Sequence, residues 1–189
     1  MAKWLMTVFI LVIFAPAAIA GEDPGPEALG VYFDKFGDRN CKDDLEAGAS
    51  FSVWFVYTNP SQSSILGFEA GYHTTAAFVQ LGLFPPCDIL TPVEPELDNL
   101  HLACPPFLVT TQATPLYRID YLYLGFEAVD ATFHLERARE STQPGNNPHI
   151  ILTDGSYLEV QAGYPAYTTV FCGVPTEKIA WGSIKSLYR

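Results

Sequence analysis

Four cysteines, Cys41, Cys87, Cys104 and Cys172, carry the plainest chemistry in this 189-residue chain. An even number of cysteines in an oxidising compartment pairs into disulfides, and four allow three pairings. The favoured set joins Cys87 to Cys104, closing a loop worth roughly 3 kcal/mol in the chain-entropy view, and Cys41 to Cys172, tying the first strand region to the last. A zinc site through Cys87, His101 and Cys104 is the rival. It lacks any CxxC pair, and His101-Leu-Ala-Cys104 alone is a weak metal signature.

Other reactive types are scattered. There is no G-x-S-x-G nucleophile elbow, and Gly155-Ser156 belongs to a turn. His73, His101, His134 and His149 show neither an H-E-x-x-H pair nor facial-triad spacing, so each is expected to be an ordinary strand or loop histidine. Glu69, between Phe68 and Ala70, is the one acid that apolar neighbours could desolvate for glycoside chemistry; the simpler expectation is a solvent-facing strand position. The loop DKFGDRNCKDDLE offers calcium-type oxygens on Asp34, Asp38, Asn40, Asp43, Asp44 and Glu46. Phe36 and Lys42 break the EF-hand register, and Lys35, Arg39 and Lys42 offset the charge, which favours a solvated loop. No catalytic, metal-binding or cofactor-binding residue is therefore nominated, and no cofactor is expected.

The first twenty residues look like an address. Lys3 precedes an apolar run from Leu5 to Phe14, and Ala18-Ile19-Ala20 is a small-residue cleavage site, the pattern of a signal peptide over residues 1–20. No second run is long enough to span a bilayer after cleavage. The expected location is secreted, periplasmic or extracellular. Composition is that of an ordered domain, 49% hydrophobic and 16% charged. A net charge of -11 and pI near 4.6 argue against a nucleic-acid partner, since phosphate neutralisation needs clustered Lys and Arg.

The elements that would position these residues are strands. ASFSVWFVYTNPSQSSILGFEAGY, residues 49–72, alternates with period two in its first arm, and Asn59-Pro60 interrupts it. It predicts two long central strands forming a hairpin. Residues 28–34 (ALGVYFD) predict a first strand, and 75–84 gives no clear period. Residues 119–126 and 131–136 predict neighbouring strands, and YTTVFC, residues 167–172, a last one. Asp154-Gly155 between HIILT and SYLEVQ is the residue pair of a type I′ hairpin turn, with positive φ at both positions. After residue 175 the period changes: Trp181, Ile184, Leu187 and Tyr188 fall on one stripe of a helix capped by Thr176, which packs on the domain or serves as a docking tail.

Together these predict an all-β domain over residues 21–175, a two-sheet antiparallel β-sandwich of roughly seven to ten strands, Ig-like in the loose sense, followed by a short helix over 176–189. A closed barrel is the alternative. ALGVYFD, WFVYTNP…ILGFEAGY and WGSIKSLYR together resemble small secreted bacterial proteins of unassigned function from environmental genomes. The resemblance implies export and a compact β fold, and no activity. Two functions fit: a secreted non-catalytic module that binds a protein or glycan, or forms part of a surface assembly, with Tyr72, Tyr117 and Tyr164 as candidate contact aromatics; and a secreted hydrolase with a site assembled from distant loops.

Overall fold

The computed structural model describes residues 25–87, 96–110, 112–125 and 130–169. The proposed signal peptide, Cys172 and the helix stripe Trp181, Ile184, Leu187 and Tyr188 lie outside the described residues. Within them the chain forms β1 (Ala28–Tyr32), β2 (Cys41–Lys42), β3 (Ser50–Thr58), β4 (Ser64–Thr74), β5 (Val79–Phe84), β6 (Leu100–Leu108), β7 (Ala113–Leu122), β8 (Ala131–Glu136), β9 (His149–Leu152), β10 (Tyr157–Glu159), β11 (Gln161–Ala162) and β12 (Ala166–Thr168). Twelve strands exceed the seven to ten expected because β2 and β11 are two-residue pieces too short to leave a period.

Two sheets pack face to face, as the alternation predicts. The first has the order β11-β1-β3-β7-β5, and the second β10-β9-β4-β8-β12-β2 with β6 also on β4. Pairing is antiparallel except at the margins, where β1 runs parallel to β11 and β12 to β2. Eleven-residue β4 organises the second sheet. β6 pairs with its Ser64 to Ala70 stretch and β8 with Gly71 to Thr74, while β9 also pairs with the first stretch.

The central hairpin is not a hairpin. β3 lies in the middle of the first sheet and β4 in the middle of the second, so residues 59–63 carry the chain across the sandwich. Asn59 takes φ 50° at the crossing, a left-handed position that asparagine tolerates better than most residues. Likewise β7 and β8, expected as neighbours, sit in different sheets. Period two specifies which face a side chain occupies; it says nothing about which strand lies alongside. The Asp154-Gly155 hairpin does form between β9 and β10. Only Gly155 has positive φ, 83°, so the loop is not type I′. Leu152 and Ser156 close a three-residue loop, and Asp154 Oδ1 accepts from the Ser156 N–H at 2.9 Å and hydroxyl at 2.6 Å.

Between the sheets lies an aromatic core. Phe55 on β3 meets Tyr72 (5.1 Å between ring centroids) and Phe68 (6.2 Å) on β4, and Tyr117 on β7 at 5.3 Å. Farther along, Phe78 packs on Phe51 and Phe133. Full burial of each such ring contributes about 1.5–3 kcal/mol, and each aromatic pair about 0.5–1.5 more. Tyr121 donates its hydroxyl to that of Tyr72 at 3.1 Å inside this core. Burial holds the Tyr72 hydroxyl well above its ordinary pKa, and pushes that of Tyr117 up to about 12. The hydroxyl oxygens of Tyr57 and Tyr117 are buried with no hydrogen-bond partner.

Cys87 and Cys104 are bonded as expected, with Cα atoms 6.0 Å apart. Cys87 follows β5, the edge of the first sheet, and Cys104 lies in β6 of the second, so the bond staples one open side of the sandwich. No cysteine is free among the described residues. The Cys41 to Cys172 pairing ends outside them, although β12, which leads toward Cys172, places Tyr167 opposite Cys41.

Three outcomes follow from this packing. Tyr117→Phe removes a buried, unpartnered hydroxyl and should keep full stability or gain up to about 1 kcal/mol in urea denaturation, whereas Tyr72→Phe breaks a buried hydrogen bond and should lose about 1 kcal/mol. Because native Tyr117 ionises later than an unfolded tyrosine, stability should be full below about pH 10 and fall as pH rises toward 12, less steeply in Tyr117→Phe. The double variant Cys87→Ala/Cys104→Ala should lose about 2–4 kcal/mol by the same measurement.

Candidate functional site

Glu69 is the sequence candidate that the structure moves furthest. It is 2% exposed, not solvent-facing. On β4 it stands directly opposite His101 on β6 and His149 on β9, so all three side chains share the outer face of the second sheet. A bulge at Leu66 sets this register: it puts Ile65 and Phe68 both in the core and turns Glu69 outward. His101 Nδ1 lies 3.2 Å from Glu69 Oε2. Glu69 Oε1 and His149 Nδ1 are both buried without a hydrogen-bond partner.

A roof explains the burial. The chain from residue 137 to 148 folds back over this face, with Ala138 2% exposed and the Pro144 carbonyl 3.2 Å from His149 Nε2. It is fastened to the 3-10 turn Leu97–Asn99. Arg139 donates its backbone N–H to the Asp98 carbonyl at 3.0 Å and pairs with the Asp98 and Glu96 carboxylates, and Glu140 exchanges hydrogen bonds with the Asn99 side chain. Gly71 lets both segments descend, since a Cβ there would lie 2.8 Å from the Arg137 carbonyl oxygen and 3.0 Å from that of Asp98.

The other histidines also meet. His73 and His134 face each other across β4 and β8 with ring centroids 5.4 Å apart, and His73 Nε2 is 2.8 Å from Glu136 Oε1. All four histidines therefore lie on one outer face, which their separation in sequence conceals. Gly71, two residues after Glu69, is the signal that could have found the site. Glycines inside a strand mark places where other backbone comes close.

The outer face of the first sheet carries a second feature. Trp54 on β3, Arg118 on β7 and Phe84 on β5 stand in one cross-strand row. The Arg118 guanidinium lies 3.8 Å from the Phe84 ring centroid and 5.4 Å from that of Trp54. It pairs with Asp120 at 3.1 Å, and Ser52 donates to the same carboxylate at 2.7 Å. Trp54, Phe84, Pro85, Pro86, Pro115 and Arg118 line a groove of about 180 Å³. That is below the roughly 300–1,000 Å³ of small-molecule sites, and suits one side chain of a polypeptide.

Beside the groove runs the outer edge of β5, the segment whose sequence shows no period. Among the described residues no strand pairs with that edge. β5 has no charged residue, and Val79, Leu81 and Phe84 are exposed. Other edges are guarded: β2 and β11 are two residues long, β10 three, and β6 carries Pro105 and Pro106.

The acidic loop turns its oxygens to internal use. Asp34 Oδ1 accepts from the N–H groups of Phe36 and Asp38, and Lys42 Nζ donates to Asp44 Oδ1 at 2.6 Å, which holds the Asp44 carboxyl below its ordinary pKa. Arg39 pairs with Asp43 and Asp44. Of the candidate contact tyrosines, Tyr72 and Tyr117 are core residues and Tyr164 is exposed. No helix of the described residues is long and apolar enough to cross a membrane.

No protein-family model matches the chain, and no curated protein is similar to it. Among solved structures it is similar to a type II cohesin domain from the cellulosome of Acetivibrio cellulolyticus, at a TM-score of 0.42 and 11% identity over 77% of this chain and 96% of that one.

Proposed function

We propose that this chain is an exported, non-catalytic binding module that takes up an extended segment of a partner protein along β5. The edge of β5, unpaired and uncharged among the described residues, carries the reading. An unpaired strand edge without charge, proline or cover presents N–H and C=O groups that another extended chain can complete, as in β-strand addition. The adjoining groove would accept one side chain of that segment, with Phe84 and Trp54 supplying apolar contact and Arg118 a donor. A polypeptide fits better than a glycan, because the Arg118 guanidinium already lies against the rings a sugar would stack on.

The hydrolase alternative gains a little and loses more. Glu69 and His101 are an acid and a base in contact. Yet Glu69 is 2% exposed beneath residues 137–148, and a substrate would have to lift that roof to reach its carboxyl. Export is supported by the residue 1–20 pattern and by the Cys87 to Cys104 disulfide, a bond typical of oxidising compartments.

Two measurements test this. Mass spectrometry of protein recovered from the producing cell's envelope or medium should give a chain starting at Gly21; an intact Met1 would defeat the export claim. Leu81→Lys, at a residue 56% exposed, should change stability by no more than about 0.5 kcal/mol and lower partner capture from that medium at least tenfold. Undiminished capture would remove β5 from the proposal, and capture abolished by soluble glycans would transfer it to sugar binding.

A further inference from the structure

We propose that the groove at the Phe84 end of β5 is a carboxylate pocket: the segment taken up along that edge brings one acidic group, a Glu or Asp side chain or its own C-terminus, to the Arg118 guanidinium. The inference rests on the β5 reading and adds the chemistry that chooses among extended segments. It starts from how Arg118 is held. The guanidinium lies 3.8 Å from the Phe84 ring centroid and 5.4 Å from that of Trp54, and Nε is 3.1 Å from Asp120 Oδ1, an ion pair without hydrogen-bond alignment. Ser52 donates its hydroxyl to that same oxygen at 2.7 Å, so the carboxylate that positions Arg118 is itself positioned. Gly82 lets Phe84 take its place in the stack. Across the sheet position 82 pairs with Asp120 and position 84 with Arg118, and a Cβ at 82 would lie 2.9 Å from Phe84 Cε2 and 3.0 Å from Cζ. The Phe84 ring therefore lies back over a bare stretch of its own strand.

The other edge of the guanidinium is uncommitted. Neither Nη nitrogen has an acceptor among the described residues, and the Arg118 side chain is 31% exposed where it lines the groove. Two parallel N–H donors on one planar fork match the two oxygens of a carboxylate. Because the rings and Asp120 fix the side chain beforehand, little freedom is lost when a ligand arrives. The flanking walls, Trp54, Phe84, Pro85, Pro86 and Pro115, are apolar and strengthen any hydrogen bond made between them. Asp120 already balances the Arg118 charge, so the pocket selects by fork geometry rather than by net attraction. At a chain charge of -11, a single carboxylate is accepted where a run of them is repelled.

The chain itself delivers a ligand to this point. β5 ends at Phe84, and Pro85 and Pro86 have no N–H to offer a ladder, so pairing along the edge stops there. A segment laid against Val79 to Phe84 leaves the edge, or ends, beside the groove. Both sources of a carboxylate, a side chain and a chain terminus, fit that placement.

An array of random peptides probed with the full mature protein tests the pocket, each peptide displayed once with a free and once with an amidated C-terminus. Binders should share one acid beside a β-forming stretch, or require the free terminus, and the two displays tell these sources apart. Replacing that carboxylate by its amide should weaken binding about 10–100-fold. Arg118→Lys keeps the charge beside Asp120 but loses the fork, and should remove about tenfold of that difference while neutral peptides bind as before. Gly82→Ala, which pushes the Phe84 ring off the guanidinium, should narrow the difference by about threefold. Leu81→Lys should weaken peptides of every kind alike. In variants with unchanged circular dichroism, a carboxylate preference that survives Arg118→Lys would overturn the pocket. So would equal binding of acidic and amidated peptides that Leu81→Lys still abolishes, and that result would leave the β5 edge standing. Binding of every kind untouched by Leu81→Lys would instead defeat the β5 reading and the pocket with it.

Discussion

The contact of Phe55 with Phe68 and Tyr72 is the interaction on which the remaining structure depends. These rings sit on consecutive strands, one in each sheet, so a stretch of chain under 25 residues long supplies the centre of both layers and the packing between them. Everything else is added outward from that pair. β1 and β7 extend the first sheet from β3, and β6, β8 and β9 extend the second from β4. Were the Phe55 ring lost, the two sheets would part at the middle rather than at an edge, and core truncations of this kind cost about 3–5 kcal/mol.

Much of this architecture is legible in the residues. The alternation of Phe51, Val53, Phe55 and Tyr57 against Ser52, Trp54, Val56 and Thr58 separates the two faces of β3, the first set entering the core, and Asp154-Gly155 marks a real hairpin. What alternation does not carry is partnership. Five residues after Thr58 can turn a strand back beside itself or take it across a gap of one core, and the polar composition of the loop is the same in both cases. The same ambiguity explains why β7 and β8 look adjacent in sequence and lie in different layers.

Glu69 shows a second limit. An acid at an outward strand position ordinarily faces water. Its cover comes from residues 137–148, nearly seventy positions downstream. Only Gly71 hints at it, because it keeps the sheet surface low enough for the backbone at Arg137 and Asp98 to lie down on it. The β5 edge escaped for the opposite reason. A strand paired on one side and half exposed on the other mixes inward and outward residues, and a bulge opposite Tyr121 and Asp120 shifts its register further.

The placement of the Cys87 to Cys104 bond has a mechanical consequence. A β-sandwich module can be held at one end and hauled at the other. Under such tension the bond forms a covalent shortcut from β5 to β6, and the 17-residue interval it spans is withheld from extension, which shortens the fully stretched chain by about 50–55 Å. Because β6 pairs along the lower half of β4, the load bypasses the intervening segment and reaches β6 directly. A pulling experiment would see that difference as a shorter unravelling step before reduction than after it.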